Sequence, residues 1–117
     1  GSQSKKKLKI TGTDSANSLW GGAKNDTLTG GGGDDVFIYQ AGSGKDVITD
    51  YAAGDVLQIL DRKGKEGGFS KATFKDDTLT LTIKGGGKVI FDNVTQTSTF
   101  NINGASYHIS DKALTKD

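Results

Sequence analysis

The chain has 117 residues, enough for one domain with a modest core and too few for two ordinary domains. It contains 18 Gly and no Pro, Cys or Met, which excludes disulfides, thiolate metal sites and a cysteine nucleophile and favours turns and short strands over helices. The formal net charge of +1 is unevenly distributed, because seven Asp and two Lys give residues 12–55 a local charge of −5.

The first eleven residues form a basic lead-in. Gly1-Ser2 is the kind of remnant that tag removal leaves, so we expect the chain to be a fragment of a larger polypeptide. Residues 1–9 carry four Lys and no acid, including the run Lys5-Lys6-Lys7. Because this run is short and lacks aromatic neighbours, a solvated tail or strand flank is favoured over a nucleic-acid contact.

Four nine-residue units follow in register. They span residues 12–20, 21–29, 30–38 and, after a two-residue offset, 41–49. Their sixth positions hold Asn17, Asp26, Asp35 and Asp46, and their eighth positions hold Leu19, Leu28, Phe37 and Ile48. Surface turns alone would explain Asp beside Gly, but they do not require a nine-residue register with an apolar eighth position. The pattern therefore predicts stacked repeats.

Each unit combines a turn with a short strand. The Gly-rich first six residues can bend through positive φ, and the last three alternate as a strand does, so stacked units bury an apolar column. If two units make one turn of a coil, Asn17 faces Asp35 and Asp26 faces Asp46. Neighbouring carboxylates repel, and a bound cation converts that repulsion into cross-linking. Ligands that are all oxygen favour Ca²⁺.

These units resemble the RTX, or haemolysin-type calcium-binding, nonapeptide repeat. Residues 21–38 carry the resemblance best, and residues 42–55 resemble the segment that closes many such blocks. The resemblance implies a parallel β-roll with Ca²⁺ between its turns, near the C-terminus of a protein exported by type I secretion. It also implies an extracellular or bacterial cell-surface location, with upstream domains and the secretion machinery as partners.

The candidate calcium ligands are sixth-position side chains and turn backbone oxygens. We expect the strongest site at Asp26 and Asp46, and a weaker one where Asp35 faces the neutral Asn17. Lys24 occupies a fourth position that is usually Gly, at a cost of ~1 kcal/mol where left-handed geometry is needed. Asp50 and Asp55 are expected to contribute at the closing end, whereas Asp14 and Asp34 are expected to point outward or lie in turns. The complete set of candidate ligands is Asn17, Gly22, Lys24, Asp26, Gly31, Gly33, Asp35, Gly42, Gly44, Asp46 and Asp50.

Beyond residue 55 the repeats give way to ordinary strand signals. Short β-branched or alternating segments predict strands at 56–60, 69–74, 78–83, 88–91, 99–102 and 106–109. Asn103-Gly104 predicts a type I′ hairpin, and Asp76-Asp77 and the glycines at 85–87 predict further turns. We therefore expect an all-β domain in which residues 12–55 form the roll and residues 56–117 form an antiparallel cap packed against it.

Two functions from different classes fit these features. The first is a calcium-dependent folding and secretion module without enzymatic activity or membrane insertion, expected to be monomeric. The second is a carbohydrate- or surface-binding module with structural calcium, in which Trp20, Tyr39 and Tyr51 are exposed and stack on sugars; for Trp20 itself, packing is favoured. An enzyme ranks third, because His108 is the only histidine and has no partner for metal binding or catalysis.

Overall fold

The computed structural model describes residues 9–13, 15–20, 25–42, 44–52 and 54–117. All regular elements in these ranges are β-strands, which confirms the predicted all-β class. No helix in the described part of the chain is long and apolar enough to cross a membrane.

Twelve strands form within the described residues. They are β1 (Lys9–Thr11), β2 (Ser18–Trp20), β3 (Thr27–Thr29), β4 (Val36–Gln40), β5 (Lys45–Ile48), β6 (Val56–Leu60), β7 (Phe69–Lys75), β8 (Thr78–Ile83), β9 (Lys88–Asp92), β10 (Thr99–Ile102), β11 (Ala105–Ser110) and β12 (Ala113–Lys116). Sheet 1 has the order β1-β3-β5-β9-β8-β7, and sheet 2 has the order β2-β4-β6-β10-β11-β12.

The repeat strands alternate between the two sheets and stack in parallel. In sheet 2, Leu19 lies opposite Phe37, which lies opposite Leu57. In sheet 1, Leu28 lies opposite Ile48. Successive layers on one sheet are thus 18 or 20 residues apart, and the larger step follows from the offset after residue 38. The stacked repeats predicted from the nine-residue register are present, and they form the parallel β-roll that the family resemblance implied.

The C-terminal half continues both sheets of the roll. Strand β9 pairs in parallel with β5, and β10 pairs in parallel with β6, with Ile102 opposite Leu57. Beyond these strands both sheets turn antiparallel, through β8 and β7 on one side and β11 and β12 on the other. The two far edges meet where the Phe74 N–H donates to the Lys112 carbonyl at 2.8 Å. The cap therefore extends the roll's own core.

Two-residue hairpins connect three of the four antiparallel strand pairs, whereas residues 84–87, which include the predicted glycine turn at 85–87, connect β8 to β9. Asn103 and Gly104 both have positive φ, 53° and 84°, as a type I′ turn requires. Asp76 and Asp77 adopt the same geometry between β7 and β8. The pair at 111–112 forms a third such turn and leads into β12, a strand that the sequence did not reveal.

The core follows the apolar eighth positions and then an aromatic cluster. Phe37 and Ile48 are fully buried, and Tyr51 packs against Phe91 and Phe100 with ring centroids 4.9 and 5.2 Å apart. The expectation that Tyr39 and Tyr51 are exposed is wrong, since their side chains are only 2% and 8% exposed.

The burial of Tyr39 follows from its place in β4. Its side chain continues the inward alternation begun by Phe37, and its hydroxyl donates to the Gly44 carbonyl. Trp20 lies on the outer face and is 50% exposed, so it does not pack in the core. Of the three rings expected to form a stacking platform, only Trp20 is on the surface.

Candidate metal centre

Sixth-position residues form a ladder along each turn-lined side of the roll. We call these sides the Asp35 rim, formed by Asn17, Asp35 and Asp55, and the Asp46 rim, formed by Asp26 and Asp46. On the Asp35 rim, the Asn17 N–H donates to Asp35 Oδ1 at 2.9 Å, and the Asp35 N–H donates to Asp55 Oδ1 at 2.8 Å. On the other rim, the Asp26 N–H donates to Asp46 Oδ1 at 3.1 Å. The structure thus brings together both facing pairs that the sequence predicted.

The carboxylates of this ladder are withdrawn from water. Asp26, Asp35 and Asp46 are at most 1% exposed, and Asp55 is 3% exposed. The Oδ2 atoms of Asp35 and Asp46 accept no hydrogen bond from the described part of the chain. A buried carboxylate oxygen without a partner is costly unless a cation or proton satisfies it. The donor set therefore fits a hard cation that prefers oxygen ligands.

Burial also shifts the acid–base behaviour of the ladder. Desolvation raises the pKa of Asp46 to about 7, the Asp26 N–H lowers it, and the charge of Asp26 raises it further. Desolvation likewise raises the pKa of Asp55, and the charges of Asp35 and Asp50 act in the same direction. Without a cation, burial therefore shifts both carboxyl groups toward the protonated form.

The turns have the backbone geometry expected of the repeat. Gly31, Gly33, Gly42 and Gly44 hold the second and fourth positions of the last two units, with φ between 77° and 87°. A side chain is strained in this region, which accounts for glycine at both positions. The other two candidate turn ligands, Gly22 and Lys24, lie outside the described residues, as does Asp14.

Asp50 ties adjacent turns together. Its Oδ1 accepts the Gly30 N–H and its Oδ2 accepts the Gly31 N–H, both at 2.8 Å. Both carboxylate oxygens thus bind the backbone of the preceding layer. Asp34 is exposed and lies against the turn at Gly54. Its Oδ1 is 2.3 Å from the point that a Cβ on Gly54 would occupy, so a side chain at residue 54 would collide with it.

Asp55 occupies a full ladder position that the sequence only partly indicated. The segment from Asp50 to Gly54 lacks the Gly-Gly opening of a repeat, yet Asp55 takes the sixth position of a fifth layer and Leu57 takes the eighth. The available signal was spacing, because Asp55 follows Asp35 by 20 residues, as Asp46 follows Asp26.

Asn17 ends the ladder on the Asp35 rim. Its Oδ1 accepts the Thr13 N–H at 2.7 Å, within its own turn. The Thr13 hydroxyl lies 3.3 Å from the same atom. The Asn17 amide oxygen is therefore engaged locally, within its own turn.

The described residues contain no group of three or more His, Cys, Asp or Glu side chains gathered as a metal cluster. The candidate sites instead offer two carboxylates from successive layers beside glycine-containing turns. Ca²⁺ accepts such mixtures of carboxylate and backbone oxygen. The arrangement defines a class of protein, the β-roll that is cross-linked by cations between its layers.

Residues 11–45 match the family model of the RTX calcium-binding nonapeptide repeat, in four copies. This confirms the resemblance seen in the sequence, and the metal that these repeats imply is Ca²⁺. No curated protein matches the chain. Because the match ends at residue 45, the family model does not include Asp46 and Asp55, and the fold places both in the ladder.

Proposed function

We propose that this chain is a calcium-dependent folding module of a larger exported protein and has a structural rather than a catalytic role. The observation that carries the proposal is the pair of enclosed Oδ2 atoms on Asp35 and Asp46, one on each rim. Enclosing these two oxygens without a partner costs free energy in an ion-free roll. Ca²⁺ bound between the layers would satisfy them and so stabilise the folded state.

Two steps of the ladder have the best ligand sets. One lies between Asp26 and Asp46, and the other between Asp35 and Asp55. Backbone oxygens of the glycine turns, including those at residues 31, 33 and 42, would complete the coordination, whereas the Gly44 carbonyl already accepts hydrogen bonds from the Tyr39 hydroxyl and the Lys88 N–H. The step from Asn17 to Asp35 is weaker, because one carboxylate is replaced by an amide that already binds Thr13. Bound Ca²⁺ supplies positive charge between carboxylates that otherwise repel each other.

Mass action makes such a module a switch. Where free Ca²⁺ is scarce, the buried carboxylates oppose stacking and the repeat half stays loose; where Ca²⁺ is abundant, binding to the folded state stabilises it. RTX repeats are typical of secreted proteins, which supports an extracellular site of folding. The proposed partners are the upstream domains of the same polypeptide, whose folding the ordered roll would support, and the type I secretion machinery.

A calcium titration tests the proposal. Far-ultraviolet circular dichroism and calorimetry should show a gain of β-structure and a rise in melting temperature as Ca²⁺ is added. Absence of both responses at saturating Ca²⁺ would contradict the proposal.

A matched pair of variants makes the test specific to the ladder. We expect Asp46→Asn to weaken binding at its site at least tenfold, because changes to outer-shell groups already cost about 10–100-fold in metal affinity. Asp111→Asn removes the same charge from an exposed hairpin residue at φ 51°, where Asn is well tolerated, and should leave the titration unchanged. If the two variants bind Ca²⁺ with equal affinity, Asp46 is not a calcium ligand.

A further inference from the structure

The outer face of sheet 1 carries a row of lysines that the calcium sites do not use. The cross-strand register places Lys45 directly opposite Lys88, Lys88 opposite Thr82, and Thr82 opposite Lys71. All three lysines are exposed. Because neighbouring strands lie about 4.8 Å apart, the row runs perpendicular to the strands as a line of positive charge.

No ion pair among the described residues involves the lysines of this row. Within the described residues the one ion pair joins His108 to Asp117, so none of the three ammonium groups has a carboxylate partner. Lys45 and Lys88 lie opposite each other on neighbouring parallel strands, so their like charges repel each other. An anionic ligand along the row would remove this repulsion.

The opposite face of the molecule gives an internal comparison. The outward positions of β2, β4, β6 and β10 carry no Lys, Arg, Asp or Glu; they are Ser18, Trp20, Val36, Ile38, Gln40, Val56, Gln58, Leu60, Thr99 and Asn101. These four strands of sheet 2 therefore present no counterpart to the lysine row of sheet 1.

Hydroxyl groups cover most of the remaining surface of sheet 1. Threonines occupy outward positions on β3, β8 and β7, and the Thr29 and Thr49 hydroxyls lie 2.7 Å apart across neighbouring layers. Val47 and Ile90 lie opposite each other and form a small apolar strip beside the lysines. Such a surface offers charge, hydroxyl and apolar contacts to a ligand with the same three features.

We propose that this face binds an acidic polysaccharide laid across the strands along the row of Lys45, Lys88 and Lys71. A linear polyanion complements a line of charge better than a planar anionic surface does, because Asp92 lies on the same face and would repel a uniform plane. The described outward positions of sheet 1 carry no aromatic ring, so the face lacks the platforms on which single-stranded nucleic acids stack. This assignment does not depend on where calcium binds.

Isothermal titration with a galacturonic acid hexamer tests the assignment, at constant free Ca²⁺ and with a neutral dextran oligomer as the comparison ligand. Lys45→Gln combined with Lys88→Gln should weaken hexamer binding about 30-fold, the factor that corresponds to losing about 1 kcal/mol for each of two lysines beside an anionic ligand. The salt dependence of binding should also flatten. Lys112→Gln combined with Lys116→Gln removes equal charge from exposed positions near the C-terminus and should bind as the wild type does.

Three results would overturn the proposal. The first is absence of hexamer binding to the wild type, or equal binding of the neutral oligomer. The second is an equal loss of affinity in both double variants. The third is equally tight, lysine-dependent binding of a single-stranded DNA oligomer, which would show a surface for polyanions in general. Melting temperatures of the two double variants check that both remain folded.

Discussion

At the scale of single residues, the ladder carboxylates have two separate tasks. On Asp35 and Asp46, Oδ1 accepts a backbone N–H from the preceding layer, while Oδ2 is enclosed with no hydrogen-bond donor among the described residues. The hydrogen bond fixes the position of each carboxylate and leaves one oxygen for a cation. An isosteric amide would keep the fixed position but present a neutral ligand, as Asn17 does.

Gly30 allows the Asp35 carboxylate to occupy its place. A Cβ at this position would lie 2.3 Å from Asp35 Oδ2 and 2.8 Å from Phe37 Cζ, so Gly30→Ala must displace one of them. We expect a loss of stability of about 1–3 kcal/mol, as for other overpacked sites, together with weaker calcium binding. Gly68→Ala is the control, because its Cβ would meet nothing within 4 Å and its φ is not positive. Thermal melts and calcium titrations of both variants test this, and equal behaviour would contradict the prediction.

At the scale of elements, the sequence predicted the strands far better than their arrangement. The segments 56–60, 78–83 and 99–102 match β6, β8 and β10 residue for residue, because alternation and β-branching are local signals. The strand β12 was missed because the turn at 111–112 places Lys at a positive φ, which gives no turn signature. The parallel pairing of β9 and β10 onto the roll was also missed, since it joins residues more than 40 apart.

The candidate metal site could likewise be predicted only where a pattern in the sequence marks it. A fixed period within the sequence was enough to pair Asn17 with Asp35 and Asp26 with Asp46. The full role of Asp55 was missed because its turn lacks the repeat's glycines, although its spacing fits. The burial of Tyr39 depends on how far β4 extends beyond its unit.

Asn103 joins the cap to the roll through one side chain. Its Oδ1 accepts the Ile59 N–H at 2.7 Å, and its Nδ2 donates to the Gly67 carbonyl at 2.9 Å. Asn103→Gly keeps a residue suited to positive φ but leaves both partly buried groups without this partner, so we expect a loss of about 1–3 kcal/mol in unfolding free energy. Chemical denaturation at saturating Ca²⁺ measures it.

Asp111→Gly is the matched control for that change. It makes a similar replacement at φ 51° in an exposed turn, and no described side-chain hydrogen bond is lost with it. The control should stay within about 1 kcal/mol of the wild type. A comparable loss in both variants would mean that the turn backbone, rather than the Asn103 bridge, accounts for the effect.

At the scale of the whole molecule, the roll and the cap differ in how their folding depends on calcium and pH. The strands of the cap close against each other through Phe74 and Lys112 and enclose the aromatic cluster. The roll adds layers with few apolar side chains and, after the first unit, buries a carboxylate at the sixth position of each layer. Folding of the roll should therefore depend on both calcium and pH, whereas the hydrogen bonds and packing of the cap contain no such requirement.

The buried carboxylates predict a pH dependence that reverses sign with calcium. In ion-free protein the pKa of Asp46 is about 7, above its ordinary value of 3.8, so its contribution to stability is fully present below about pH 4 and is lost as the pH rises through 7. The loss is at most about 4 kcal/mol, since each tenfold change in an ionisation equilibrium corresponds to about 1.4 kcal/mol. Asp55 acts in the same direction.

With saturating Ca²⁺ the ionised carboxylates are the bound form, so stability should instead fall as the pH decreases and protons compete with the ion. Melting temperatures measured from about pH 4 to above pH 7, with a chelator and then with Ca²⁺, should therefore slope in opposite directions. Asp46→Asn removes one of the titrating carboxyl groups and should reduce the slope of both curves. If the melting temperature of the wild type changes in the same direction with pH in both conditions, the ladder carboxylates do not control the folding of the roll. Protonation should stabilise buried carboxylates that hold no ion and should displace Ca²⁺ from carboxylates that bind it, so the two conditions require opposite slopes.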